Sequence, residues 1–212
     1  MKCRGSNIRR IIVQEYYVEP VAHLKILDNR PKHSDAEAII TDEYYIFIVT
    51  SKYNGSKDTI TCGMGAARDF LKLLGHSGLP LFNPIKEEVL KSSVKDCKTD
   101  TSEFDSDWNP TGKQLYNAIM WLISVWDAKI DTPLFKIKDN VVAYKKYPPS
   151  SSNIKSVNTI IKNGGKGKTL TEIIENFRKH NNLKNSMCQF DLLKTRIIQM
   201  TDKNGNKLKS YF

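Results

Sequence analysis

Tyr44-Tyr45-Ile46-Phe47-Ile48-Val49 is the stretch that decides the fold: six aromatic and β-branched residues in unbroken succession. Side chains of this kind suit a pleated backbone. With no polar interruption they predict a strand covered on both faces, at the centre of a sheet. C-terminal to it, Asn54-Gly55 between Ser and Lys residues signals a turn, residues 59–62 a short strand, and residues 66–74 a helix. Phe70, Leu71, Leu73 and Leu74 form that helix's apolar face and Gly75 its stop. N-terminal to it, residues 8–18 and 21–27 are rich in Ile, Val and Tyr and predict further strands, with the central run extending over 38–51.

Beyond this region the period changes. A Gly/Pro-punctuated loop covers 75–85, a short helix 85–91, and a polar loop with Asp100, Glu103, Asp105 and Asp107 covers 92–109. Leu115, Ile119, Leu122, Ile123 and Trp126 keep helical spacing, with Trp121 beside them, and predict a long core helix over 112–129. Strands are expected at 134–138 and 141–147, and Pro148-Pro149-Ser150-Ser151-Ser152-Asn153 reads as a linker. Thr169 with Glu172 three residues on forms a capping box, opening a helix with Ile173, Ile174 and Phe177 on its apolar stripe. A second helix over 187–199 turns Phe190, Leu193 and Ile197 inward, and a hairpin around Asn204-Gly205 closes the chain.

The fold class is therefore α+β. A mixed β-sheet domain with a long core helix occupies 1–147, a linker 148–154, and a small basic helical segment, helix-turn-helix or winged-helix-like, 155–212. The 212 residues suffice for one good-sized core or a main domain with a small companion. No apolar run approaches the ~18 residues of a membrane helix, and no apolar stretch follows Met1-Lys2-Cys3-Arg4, so neither a membrane span nor a secretory signal is expected. Cys3, Cys62, Cys97 and Cys188 are widely spaced, without CxxC or zinc-ligand spacing. Free thiols and a cytoplasmic location are the expectation.

Charge divides the chain sharply. Residues 1–135 hold 17 Lys/Arg and 18 Asp/Glu, whereas residues 136–212 hold 16 and 5, a net of +11. Such asymmetry points to a polyanionic partner, nucleic acid foremost, whose phosphates Lys and Arg neutralise with counterion release. The candidate contacts are Lys162, Lys166, Lys168, Arg178, Lys179, Lys194, Arg196, Lys203, Lys207 and Lys209, and double-stranded DNA is the expected partner. A solvated, solubilising face is the alternative reading of the same charges.

Helix, turn, helix and basic hairpin in that order resemble winged-helix DNA-binding modules, in which the second helix enters the major groove and the hairpin lies on phosphate. Gly164-Gly165-Lys166-Gly167-Lys168-Thr169 resembles the GGxGKT loop that partition-type ATPases place between a strand and a helix, although Asn163 stands where that family has lysine and only 43 residues follow. In the N-terminal part, Cys62-Gly63-Met64-Gly65-Ala66-Ala67-Arg68 resembles the CxxGxxR loop of cysteine-dependent phosphatases. That resemblance implies Cys62 as nucleophile, Arg68 as phosphate clamp and Asp28 or Asp35 as general acid. Thr61 and Asp69 depart from it, where the family has His and Ser or Thr. The same segment resembles a GIY-YIG nuclease, a hairpin followed by a helix bearing a catalytic arginine. Tyr45 and Arg68 would carry over, without the second motif tyrosine. The bland alternative pairs Arg68 with Glu43 or Asp69. The expected function is nucleic-acid binding, with or without restriction-type or mobile-element nuclease activity. Mg²⁺ is the expected cofactor if the chain is a nuclease. A non-enzymatic regulator or inhibitor and a cysteine-dependent phosphatase are the alternatives.

Overall fold

A computed structural model describes residues 1–27, 31–86, 107–126 and 132–212. Among them the chain forms α1 (Ser6–Glu15), β1 (Tyr16–Lys25), β2 (Lys32–His33), β3 (Ile39–Ile40), β4 (Glu43–Ser51), β5 (Lys57–Gly63) and α2 (Met64–Leu74). There follow α3 (Pro110–Trp126), α4 (Pro133–Ala143), α5 (Ser151–Gly164), α6 (Leu170–Arg178), a 3₁₀ turn at Asn185–Met187 and α7 (Asp191–Ile198). The fold is α+β. The helix expected at 85–91, the acidic loop and Asp28 lie wholly or largely outside the described residues.

The chain separates into two compact units, residues 1–83 with 124–135, and residues 84–123 with 136–212. This partition follows contacts, whereas the boundary at 148–154 follows composition.

In the first unit, β4 is the middle strand of the order β1-β4-β5, as its unbroken apolar run predicts. Both ladders are antiparallel, and Phe82 adds an isolated parallel bridge to Leu24. Tyr44, Tyr45, Ile46, Phe47 and Val49 are all buried. Pro20 cannot donate to a ladder, and it stands on an edge strand where the register shifts before Ala22. Rings stack through the sheet core, His23 on Tyr45 at 4.2 Å, Tyr45 on Phe47 at 5.6 Å and Phe47 against Phe70 at 5.2 Å.

The start of the chain departs from expectation: residues 6–15 are helix, and the strand begins only at Tyr16. Ile and Val there favour strand locally, but tertiary contacts decide. Ile12 is buried, and the Arg9 guanidinium donates to the Asp69 carboxylate at 2.6 and 3.0 Å and to Cys3 O at 2.9 Å. Helix α2 ends as the sequence implies, on Gly75 in the left-handed region at φ 62°.

The second unit contains most of α3. Its residues from Leu115 to Ile123 are buried all round. The Trp121 Nε1–H donates to Met187 O at 2.8 Å and its ring meets Phe177 at 6.2 Å. The strands expected at 134–138 and 141–147 are instead α4 and a turn. Leu134, Phe135, Ile137, Lys138 and Val141 are the buried positions, with 134, 137, 138 and 141 at helical spacing, and Pro133 occupies the first helical position, where its missing N–H costs nothing.

The stretch read as a linker also folds. Ser150 caps α5, its side chain accepting from Asn153 N, and Ile154, Val157, Asn158 and Ile161 form the buried stripe. The capping box at Thr169 and Glu172 is present in full. The second C-terminal helix is shorter than its pattern, a 3₁₀ turn and then α7 from Asp191. The closing hairpin is reduced to one bridge, Thr201 with Lys207, around an Asp202-capped turn.

Candidate nucleic-acid interface

Asn158 organises the basic region. Its Nδ2–H donates to Lys209 O at 3.0 Å and its Oδ1 accepts from Tyr211 N at 2.7 Å. The end of the chain therefore crosses α5 at this residue, and Leu170 N donates to Tyr211 O at 2.7 Å at the start of α6. Lys155 lies one turn before Asn158 on α5 and Lys162 one turn after it. Lys155 Nζ donates to Thr201 O at 3.1 Å, so the turn bearing Lys203 and Lys207 begins beside it. Lys168 and Lys209 both bear electrostatically on the Glu172 carboxylate. Around one crossing the fold thus gathers Lys155, Lys162, Lys168 and Lys209.

Four of the five acids after residue 135 are engaged internally, the exception being Asp191, exposed at the start of α7. Thr169 N and Oγ1 donate to the Glu172 carboxylate, and these bonds, with Lys168 and Lys209 nearby, hold it below the usual glutamate range. Glu175 takes Arg178 at 3.0 Å. Asp202 is held low by bonds from Asn206 and Asn204 within its turn. Asp139 takes Lys138 at 2.9 Å. Among the described residues Lys162, Lys166, Lys168, Lys179, Lys194, Arg196, Lys203 and Lys207 form no salt bridge. Arg178 is tied to Glu175 and Asn185, and Lys209 lies over the Tyr211 ring at 5.4 Å. Lys179 lies at the far end of α6 from Lys168, and Lys194 and Arg196 stand on α7, a helix that packs against α5.

The glycine-rich loop is a helix terminus and not a phosphate cradle. The element before it is α5, where the resemblance requires a strand. Four of its backbone donors are committed: Gly165 N to Ile161 O, Gly167 N to Lys162 O, Lys168 N to Gly165 O, and Thr169 N to Glu172. Gly165 is required by close approach, because a Cβ there would stand 2.7 Å from Lys168 O and 2.8 Å from Ile161 O. Its lysine side chains still reach solvent.

Helix α7 occupies the place of a recognition helix in sequence order. The Gln114 side chain of α3 accepts from Leu192 N at 3.0 Å and Leu193 N at 3.4 Å, filling the donors at its N-terminus. Its exposed surface includes Leu192 and Ile198 as well as Arg196.

In the first unit the three candidate catalytic residues are not gathered at one site. Cys62 on β5 is 0% exposed. Its contact with the Cys3 thiol and its burial both push its pKa far up, which is the chemistry of a packed core thiol and not of an activated nucleophile. The N-terminal segment is clamped there through Asp35: Cys3 N donates to Asp35 O, Asp35 N to Thr61 O, and Thr61 N to the Asp35 carboxylate. Asp35 is therefore a structural tie. Tyr45 is also buried, and its hydroxyl donates to Leu79 O at 3.2 Å and accepts from Leu79 N at 3.0 Å.

Arg68 alone of the three faces solvent. It lines a cleft of about 460 Å³ with Gly63, Met64 and Gly65 at the uncapped start of α2, and with Asp42 and Glu43. Neither acid expected as its partner pairs with it: Asp69 holds Arg9, and Glu43 holds His23 at 2.8 Å. Among the described residues no group of His, Cys, Asp and Glu is arranged to hold a metal ion, and no helix is long and apolar enough to cross a membrane.

Sequence reading missed Lys155 and Asn158. The signal was the spacing Ile154, Val157, Asn158, Ile161, hidden because the serines and prolines before it suggested a linker. Compared with protein families, with curated proteins and with solved structures, the chain matches none.

Proposed function

We propose that the C-terminal half of this chain binds nucleic acid through the lysine-rich surface of α5, the loop 164–168 and the terminal segment that crosses α5. The observation that carries the reading is the tie at Asn158 and Leu170, which holds Lys155, Lys162, Lys168 and Lys209 around one crossing while the acids nearby are consumed by capping and pairing. Lysines on a flexible stem contact phosphate as point charges, so the surface reads backbone charge and not base edges. A gel-shift titration with labelled duplex and single-stranded DNA at low and physiological salt tests the reading. A shift that weakens steeply with salt is expected, and no shift at low salt overturns it.

A second reading, phosphodiester cleavage, is favoured by one observation, the exposed Arg68 in the cleft beside α2, unpaired with Asp69 or Glu43. Arg68 would serve there as a bidentate phosphate clamp. Incubating DNA with the protein and Mg²⁺ is expected to give fragments, and Arg68→Ala to abolish them while leaving the gel shift intact. Intact DNA with the wild-type protein removes the cleavage reading and keeps the binding one.

A further inference from the structure

A groove of about 310 Å³ lies where the turn after α4 meets the start of α5, lined by Asn140, Val141, Tyr144, Tyr147, Pro148 and Pro149 among others. It has two features that packing does not explain. The Tyr144 and Tyr147 side chains are largely in solvent, the residues being 61% and 68% exposed. Neither ring takes part in a stacking contact, and neither hydroxyl bonds to a described residue, unlike buried Tyr45.

The groove's walls are preformed. Tyr147 N donates to Tyr144 O at 2.9 Å, and Asn109 N donates to Lys145 O at 2.7 Å. The Asn109 side chain caps α3 through Thr111 N and Gly112 N. Asn153 Nδ2–H donates to Asn140 Oδ1 at 2.8 Å, joining the starting turn of α5 to the opposite wall. Two successive prolines fix the floor's backbone. The backbone that carries the two rings is thus tied before a ligand arrives, which lowers the entropic cost of binding.

The surroundings state the charge of the occupant. From Asn140 to Thr171 the chain has no Asp or Glu and six lysines, Lys145, Lys146, Lys155, Lys162, Lys166 and Lys168. The acids nearest in the fold are neutralised, Asp107 by Lys146 at 2.7 Å and Asp139 by Lys138 at 2.9 Å. The groove therefore sits at one end of α5, and the lysine crossing occupies its middle and far end. The 14 residues of that helix span roughly 20 Å, a distance that several nucleotides of an extended strand bridge.

We infer that the groove stacks an unpaired base of single-stranded nucleic acid between Tyr144 and Tyr147, while α5 and the terminal segment follow its phosphates. The inference rests on the nucleic-acid reading above and selects the strand state within it. Bases in a duplex stack on one another and offer no face to a side-chain groove, whereas unpaired bases are captured by aromatic rings above a basic track.

Fluorescence-anisotropy titration of the full chain with a labelled single-stranded 12-mer, and with the duplex of the same sequence, tests the inference in wild type, Tyr144→Ala, Tyr147→Ala and Tyr147→Phe. The wild type is expected to hold the single strand at least about tenfold more tightly. Each alanine variant should lose roughly 5- to 100-fold for the single strand and nothing for the duplex, and the phenylalanine variant should retain the wild-type affinity. Both tyrosines are at the surface, so unchanged circular dichroism spectra are expected for every variant. Equal affinity for the two forms, or alanine variants that bind the single strand as wild type does, overturns the inference and leaves the lysine surface standing. Binding to neither form overturns the functional reading and the inference together.

Discussion

At the level of single residues, Cys62 illustrates how context overrides a motif. Seven residues place a cysteine before a helix that bears an arginine, the order that suits a thiolate nucleophile. Yet Cys62 is the sixth residue of β5, opposite Tyr45, with its side chain in the sheet core beside Cys3. The cysteine belongs to the strand and the arginine to an exposed turn of the helix, so pattern spacing could not reveal that one points in and the other out. Iodoacetamide labelling followed by peptide mapping should find Cys62 modified far more slowly than the half-buried Cys188 in the native protein, and at a similar rate in denaturant. Rapid native labelling of Cys62 would contradict its placement. Arg68 is the opposite case, a residue singled out from sequence that does face a cleft.

At the level of elements, what was legible depended on whether a segment's own residues or its neighbours decide its form. The run at 44–49, the helix ending on Gly75, the long helix with Trp121 and the capping box at Thr169 each contain their own instructions. Helix α1 does not: its Ile and Val residues favour strand, and it is helical because Ile12 and Arg9 have partners far along the chain. Helix α4 was hidden by Asp139-Asn140, which resembles a turn inside a helical spacing. The capping box is testable. Thr169→Ala should destabilise the second unit by about 1 kcal/mol, read as a lower midpoint in urea unfolding. The Glu172 carboxylate is held below its ordinary value of 4.5 in the folded chain. Its stabilisation is therefore fully present above that value and lost as pH falls through the lowered one. The stability difference between wild type and Glu172→Gln, which cannot titrate, should accordingly narrow in acid, and a difference unchanged down to pH 3 would contradict the assignment.

At the level of the whole molecule, charge is the property that sequence conveyed best and placed worst. The excess of 16 Lys/Arg over 5 Asp/Glu after residue 135 is visible by counting. Which of these lysines stand together depends on Asn158, whose two hydrogen bonds bring residues 209–211 back over α5. No local pattern encodes a contact across more than 50 residues. The glycine-rich loop shows the converse, since its letters suggested a phosphate cradle, whereas the turn that follows α5 commits four of the backbone donors and leaves chiefly lysine side chains for an anion. The central claim is that these lysines bind phosphate. It is tested most directly by the salt dependence of nucleic-acid affinity in wild type and in the combined variant Lys162→Gln, Lys168→Gln, Lys209→Gln. The account predicts that the slope of log affinity against log salt falls in magnitude by roughly 2 to 3 in the variant, about one per lost phosphate contact. A slope unchanged from wild type would contradict it.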